Sequence, residues 1–267
     1  VTPLEAALLG LIQGLTEFLP ISSTAHLRMV PAMLGWKDAG AAFTAVLQLG
    51  TLAAVIGYFL PDLLRMTRAW LQPKPWQNPE AQKLVHLIVG TIPIGVAGLL
   101  FKHSIEGPLR SLWVIASTLV VVGVLMAVVE RNVSPTREIS DAGMRDAVLV
   151  GMAQMMALVP GVSRSGITLI AAMALGMRRD AAARYCFLLG VPAIGAAGIL
   201  ELPKVLKSHE VSTSVLLLGL GVSAVSGYAA IAWLIKFLRT RSVMPFVVYR
   251  IAVGLLLVLG LLSGWWS

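Results

Sequence analysis

Gln13-Gly14-Leu15-Thr16-Glu17-Phe18-Leu19-Pro20-Ile21-Ser22-Ser23-Thr24-Ala25-His26 is a polar, proline-stopped segment in an otherwise apolar chain. A second stretch around Pro160-Gly161-Val162-Ser163-Arg164-Ser165-Gly166-Ile167-Thr168 reads as its copy. At one constant offset Gly10 falls on Gly151, Gln13 on Gln154, Ser22 on Ser163 and Thr24 on Ser165, while Ser23 becomes Arg164. One copy therefore carries an acid and a histidine, the other an arginine. In a membrane protein, a polar interruption recurring in both halves is the strongest sequence pointer to a binding site.

Composition places the chain in a membrane. Hydrophobic residues make up 57% and charged residues only 13%, with a mean hydropathy of +0.84. No soluble packing scheme covers so much apolar surface. Six stretches approach the ~20 apolar residues that cross hydrocarbon: Gly40–Leu60, Leu84–Phe101, Leu112–Val129, Ala181–Leu200, Val215–Ile235 and Val243–Leu262. Leu4–Leu19 gives roughly 24 Å of helix, short of the ~30 Å core, before Pro20 stops it. Val148–Val159, closed by Pro160-Gly161, repeats that half-crossing. The expected fold is an all-α integral membrane protein with six spanning helices and two re-entrant helix pairs. Three crossings per half is an odd number, so the single membrane domain 1–267 is expected to consist of inverted-topology repeats at about 1–135 and 136–267.

Basic residues suggest the orientation. Arg65, Arg68, Lys83, Arg137, Arg145, Arg178, Arg179, Arg239 and Arg241 fall on loops of one side, which the positive-inside rule assigns to the cytoplasm. Arg28, Lys37, Lys102, Arg110, Lys204 and Lys207 fall on the other. The net charge of +8 is thus a topology signal, and without a basic stripe interleaved with aromatics it argues against a nucleic-acid partner. Trp265 and Trp266 are expected in the outer aromatic belt, Trp70 and Trp76 in the inner one. The single cysteine, Cys186, lies in an apolar span and reads as a packing residue.

Glu17 is the one acid deep in apolar sequence. A carboxylate there needs a partner and a polar cavity, and Gln13 sits one helical turn away on the same face. His26 follows the Ser22-Ser23-Thr24 hydroxyls and is a candidate general base. Arg164, between Ser163 and Ser165 at the second tip, brings a guanidinium, hydroxyls and free helix-start amides, the chemistry that binds phosphate. The bland alternative is an internal Arg164–Glu17 ion pair with no substrate.

Residues 13–26 and 160–168 resemble the two signature motifs of the bacterial undecaprenyl-diphosphate phosphatase family, the bacitracin-resistance proteins. The resemblance extends to Leu47-Gln48-Leu49-Gly50-Thr51 and to Pro245-Phe246 with Tyr249-Arg250. It implies hydrolysis of undecaprenyl diphosphate to the monophosphate and inorganic phosphate in the bacterial inner membrane. The site would open to the periplasmic side and recycle the lipid carrier for peptidoglycan synthesis. It also implies a divalent cation, Mg2+ or Ca2+. Besides its polyprenyl diphosphate substrate the protein would meet membrane lipids, and a homo-oligomer is compatible with the resemblance. The family often has an acid where this chain has Gln13 and a glycine where it has Ala25.

In a mechanism built on these residues, Arg164, Ser163 and Thr168 clamp the phosphoryl group, with Gln13, Ser22, Thr24 and Ser165 as further binding residues and Glu17 as the metal ligand. Ser23 is the candidate nucleophile, with water as its rival. Glu17 or His26 takes the proton. The competing function is a transporter or flippase for a phosphorylated lipid.

Overall fold

The computed structural model describes residues 1–208 and 211–264, and every regular element among them is helical. Trp265 and Trp266 lie outside the described residues. Helix α1 (Pro3–Phe18) starts from a capping box in which the Thr2 amide donates to Glu5 Oε2 at 2.7 Å and the Glu5 amide to Thr2 Oγ1 at 3.2 Å. Pro20 ends it, and the chain turns back as α2 (Ser23–Leu34). Then follow α3 (Gly40–Tyr58), α4 (Leu60–Trp70), α5 (Pro79–Leu100), α6 (Lys102–Glu106) and α7 (Leu112–Asn132). The second half opens with α8 (Met144–Met155), a 3-10 turn at Met156–Leu158 and α9 (Arg164–Ala174), continuing as α10 (Arg179–Ser208), α11 (Thr213–Leu238) and α12 (Met244–Leu262).

Six helices, α3, α5, α7, α10, α11 and α12, are long and apolar enough to span a bilayer. Their outward faces expose Leu99, Leu100, Val225, Val248 and Leu259 at 62–75% of full accessibility. An aqueous protein would bury that surface, whereas a bilayer solvates it. The chain is a multi-pass membrane protein, with both interrupted segments where the sequence puts them.

Ion pairs collect at the two ends of the bundle. One end holds Arg28 and Arg110 around Asp38, and Lys102 and Lys204 on Glu201. The opposite end holds Arg179–Glu130, Arg184–Asp62 and Arg137–Asp146. Arg137 also donates to the carbonyls of Leu175 and Asp141, each at 2.7 Å, which closes the base of the α8–α9 pair. Hydrogen bonding to the Asp146 carboxylate raises the Arg137 pKa further. Trp70 and Trp76, the expected inner belt, meet edge to face at 4.9 Å near this end.

Packing exchanges partners between the halves: α1 lies along α11, and α8 along α5. Corresponding glycines permit both contacts. A Cβ on Gly10 would fall 2.4 Å from the Gly219 carbonyl oxygen, and one on Gly151 would fall 2.4 Å from that of Gly90. Backbone cannot retreat as a side chain can. Gly151→Val should therefore cost at least ~1–3 kcal/mol and lower the unfolding midpoint in detergent. An unchanged midpoint would mean that α5 and α8 tolerate separation.

Candidate active site

Both helix pairs turn on the same device. Ser22 (φ 74°) caps α2 and Ser163 (φ 72°) caps α9, and among the described residues Lys74 is the only other non-glycine at positive φ. The hydroxyl of Ser22 accepts from the Ala25 amide at 3.4 Å, that of Ser163 from the Gly166 amide at 3.1 Å. A left-handed serine costs of order 1 kcal/mol, and here it aims the first turn of each helix, with its unpaired amides, inward.

The two tips meet at Glu17, which is 6% exposed. Its Oε1 accepts from Arg164 Nη2. Oε2 accepts from Gln13 Nε2 at 2.7 Å and from Ser23 Oγ at 2.6 Å. One carboxylate thus gathers the amide, a hydroxyl and the guanidinium from both copies. A carboxylate isolated in a bilayer would be costly, and these three donors offset that cost. The other amide atom, Gln13 Oε1, is buried without a hydrogen-bond partner.

Glu17, Ser23, Thr24, Ser163 and Arg164 line one cavity of about 230 Å³. Arg110 also lines it, as do Gln48 and Thr44 of α3. Ala41, Ala45, Ile94, Leu158, Ala193 and Ala197 belong equally to an adjoining apolar groove of about 280 Å³ that continues past Gly95, Gly98, Leu99 and Leu200. A polar chamber thereby opens sideways into a greasy channel.

Several expected binding residues hold backbone as well. Ser165 Oγ donates to the Leu19 carbonyl at 3.0 Å, joining the second tip to the first, and Thr168 Oγ1 donates to the Arg164 carbonyl at 2.7 Å. His26 is turned elsewhere: Nδ1 donates to the Ser22 carbonyl and Nε2 accepts from Tyr249 Oη, both at 2.7 Å. Since a carbonyl only accepts, Nδ1 carries the proton in this arrangement.

A family model described as "Bacitracin resistance protein BacA" matches residues 6–256. The chain belongs to the BacA family. It is 48% identical over 266 residues to the "Undecaprenyl-diphosphatase" of Myxococcus xanthus (strain DK1622), covering 98% of this chain and 90% of the relative. It is 46% identical to "Undecaprenyl-diphosphatase 2" of Streptomyces coelicolor (strain ATCC BAA-471 / A3(2) / M145), covering 95% and 93%. With the "Undecaprenyl-diphosphatase" of Synechococcus sp. (strain RCC307) identity is 47%, covering 95% and 91%.

One residue of this BacA-family chain takes a structural part that motif reading missed. Arg250 of α12 is fully buried. It donates to the carbonyls of Pro20 at 3.0 Å, Gly161 at 2.9 Å and Val162 at 3.0 Å, with longer contacts of 3.4 Å to Leu119 and Thr118. No ion pair neutralises it among the described residues. Converging carbonyl dipoles do so instead, and one guanidinium ties both tips together. Tyr249, its neighbour, holds His26. The available signal was a lone arginine inside an apolar span.

Proposed function

We propose that this protein hydrolyses undecaprenyl diphosphate to undecaprenyl phosphate and inorganic phosphate. The single observation that carries the reading is Ser23–Glu17–Arg164, a hydroxyl, a carboxylate and a guanidinium hydrogen-bonded together in one cavity, which suits a nucleophile, its base and a phosphate clamp. The printed names of relatives alike along nearly the whole chain point the same way. The polyprenyl tail lies in the groove between α5 and α10, leaving the head in the polar chamber.

Arg164 exchanges part of its contact with Glu17 for the terminal phosphoryl oxygens, assisted by the amides at the starts of α2 and α9. Ser23 passes its proton to Glu17, and its oxygen attacks the terminal phosphorus. The bond from that phosphorus to the bridging oxygen breaks, and the electron pair leaves with the lipid monophosphate. Glu17 hands the Ser23 proton to the departing lipid phosphate. It then takes one from the water that attacks the phosphoserine and returns it to the Ser23 oxygen as the phosphorus–oxygen bond breaks, releasing inorganic phosphate and restoring Ser23. Glu17 is favoured over His26 as the base because its Oε2 already accepts from Ser23, whereas both His26 nitrogens are engaged. His26 steadies the tip.

The donor set suits a hard divalent cation such as Mg2+ or Ca2+. Glu17 and the orphaned Gln13 Oε1 offer oxygen, and the substrate phosphates complete such a shell. When bound, the cation offsets negative charge on the diphosphate. No cluster of three His, Cys, Asp or Glu occurs among the described residues, so protein ligands alone make a weak site. Chelation is expected to remove activity and Mg2+ or Ca2+ to restore it. Gln13→Glu should lower the half-saturating cation concentration about 10-fold, measured by titration of the chelated protein; an unchanged value would remove Gln13 from the site.

The setting we infer is the bacterial inner membrane, with the cavity facing the outer, periplasmic side as the Arg28–Asp38–Arg110 end. There the activity returns lipid carrier to peptidoglycan synthesis and confers bacitracin resistance. Inverted duplication at about 1–135 and 136–267 accounts for the matching Ser22 and Ser163 caps and the Gly10–Gly219 and Gly151–Gly90 contacts. Phosphate release from a polyprenyl diphosphate by purified protein tests the activity. No release, together with uptake of the intact lipid phosphate into liposomes, would replace the phosphatase by a transporter.

A further inference from the structure

We propose that Arg110 and Gln48 form a second phosphate subsite at the mouth of the Glu17–Arg164 cavity, one that takes the phosphate left on the lipid and so selects a diphosphate head. The inference rests on the diphosphatase reading. Charge gives the first reason. Inside the cavity Arg164 is matched by Glu17, so a strongly anionic head needs another cation. At the mouth a single carboxylate, Asp38, is shared by Arg28 at 3.5 Å and Arg110 at 3.0 Å. Two guanidiniums on one carboxylate leave net positive charge beside the opening. Among the described residues only Nη2 of Arg110 is engaged, by both Asp38 oxygens, which leaves Nε and Nη1 as donors toward a ligand.

Gln48 gives the second reason. It is a polar side chain within the spanning helix α3 and lines the cavity, and its side-chain amide makes no hydrogen bond among the described residues. A primary amide in such a place is costly unless it meets water or a ligand. Register gives the third. Ala41, Thr44, Ala45 and Gln48 share one face of α3, and Ala41 and Ala45 also line the apolar groove. A head held between Arg164 and Arg110 therefore has its lipid-bearing phosphate beside the channel for the tail.

The test uses the full chain with R110Q, Q48L and D38N. R110Q is expected to raise KM for a polyprenyl diphosphate about 10-fold or more, with kcat within about 3-fold. Inhibition by polyprenyl monophosphate should weaken alike, while inhibition by inorganic phosphate, which occupies the Arg164 end, stays unchanged. Q48L should raise KM by a factor of about 3–10. D38N breaks the same ion pair but frees Arg110, so its KM should stay level or fall. An unchanged KM in R110Q, a KM raised equally by D38N, or parallel weakening of phosphate inhibition would overturn the subsite. Calorimetric titration with polyprenyl monophosphate, weakened about 10-fold by R110Q, reads the subsite independently of turnover. Wild-type protein that binds this lipid yet releases no phosphate would instead sink the diphosphatase reading.

Discussion

Glu17→Ala and Arg164→Ala are each expected to abolish phosphate release from a polyprenyl diphosphate, by at least ~10³-fold, while the protein stays folded in detergent. The two losses have different origins. Without Glu17 no base accepts the Ser23 proton, and Gln13 and Arg164 lose their shared acceptor. Without Arg164 the terminal phosphoryl loses its fork of donors, and Glu17 keeps only Gln13 and Ser23. Arg164→Lys should recover little, because a point charge does not reproduce bidentate geometry. Since these residues act as a unit, the double variant should lose hardly more than either single one. Phosphate release measured beside the elution profile of each variant decides the matter. Rates near wild type would reduce the pair to a structural ion pair, the bland alternative open from sequence. Trapping with a phosphate analogue and locating the label on or off Ser23 separates covalent from direct attack.

Arg250→Met is expected to carry the second large effect, although Arg250 lies on α12 behind both tips. Removing the guanidinium leaves the carbonyls of Pro20, Gly161 and Val162 buried without their donor. Three unsatisfied acceptors together cost about 3–5 kcal/mol. The unfolding midpoint should fall, and kcat should fall about 100-fold, because Ser23 and Arg164 are then no longer held in register. KM should move less, since the groove for the tail is untouched. Arg250→Lys should restore stability only in part, as an ammonium has three donors where the guanidinium has five. Equal kcat in wild type and Arg250→Met would show that the tips hold their register unaided.

Much of the fold was legible in the chain. Stretches such as Leu112–Val129 and Val243–Leu262 announce spans because hydrocarbon demands about 20 uncharged residues in a row, and the helices there run Leu112–Asn132 and Met244–Leu262. Pro20 and Pro160-Gly161 announce the breaks because proline lacks the amide that a helix needs. Glu17 and Arg164 stand out because bilayer interiors penalise lone charge. What each hydroxyl does was not legible: Ser163 and Ser165 are both short alcohols beside Arg164, yet one caps a helix and the other reaches the Leu19 carbonyl. The partner of His26 was not legible either: its Nε2 meets Tyr249 Oη, a residue far along the chain that the spacing to Glu17 could not name.

The sequence by itself determined that this chain lives in a membrane, where it crosses, where it breaks, and which two segments carry polar chemistry, because each of those follows from local hydropathy and backbone rules. Only the tertiary structure decided that Glu17 meets Arg164, that Arg250 joins both tips, and that Arg110 and Gln48 face the same chamber. Those contacts join residues far apart in the chain, and their partners are chosen by how helices pack, through close glycine approaches such as Gly10 on Gly219, rather than by anything adjacent in sequence.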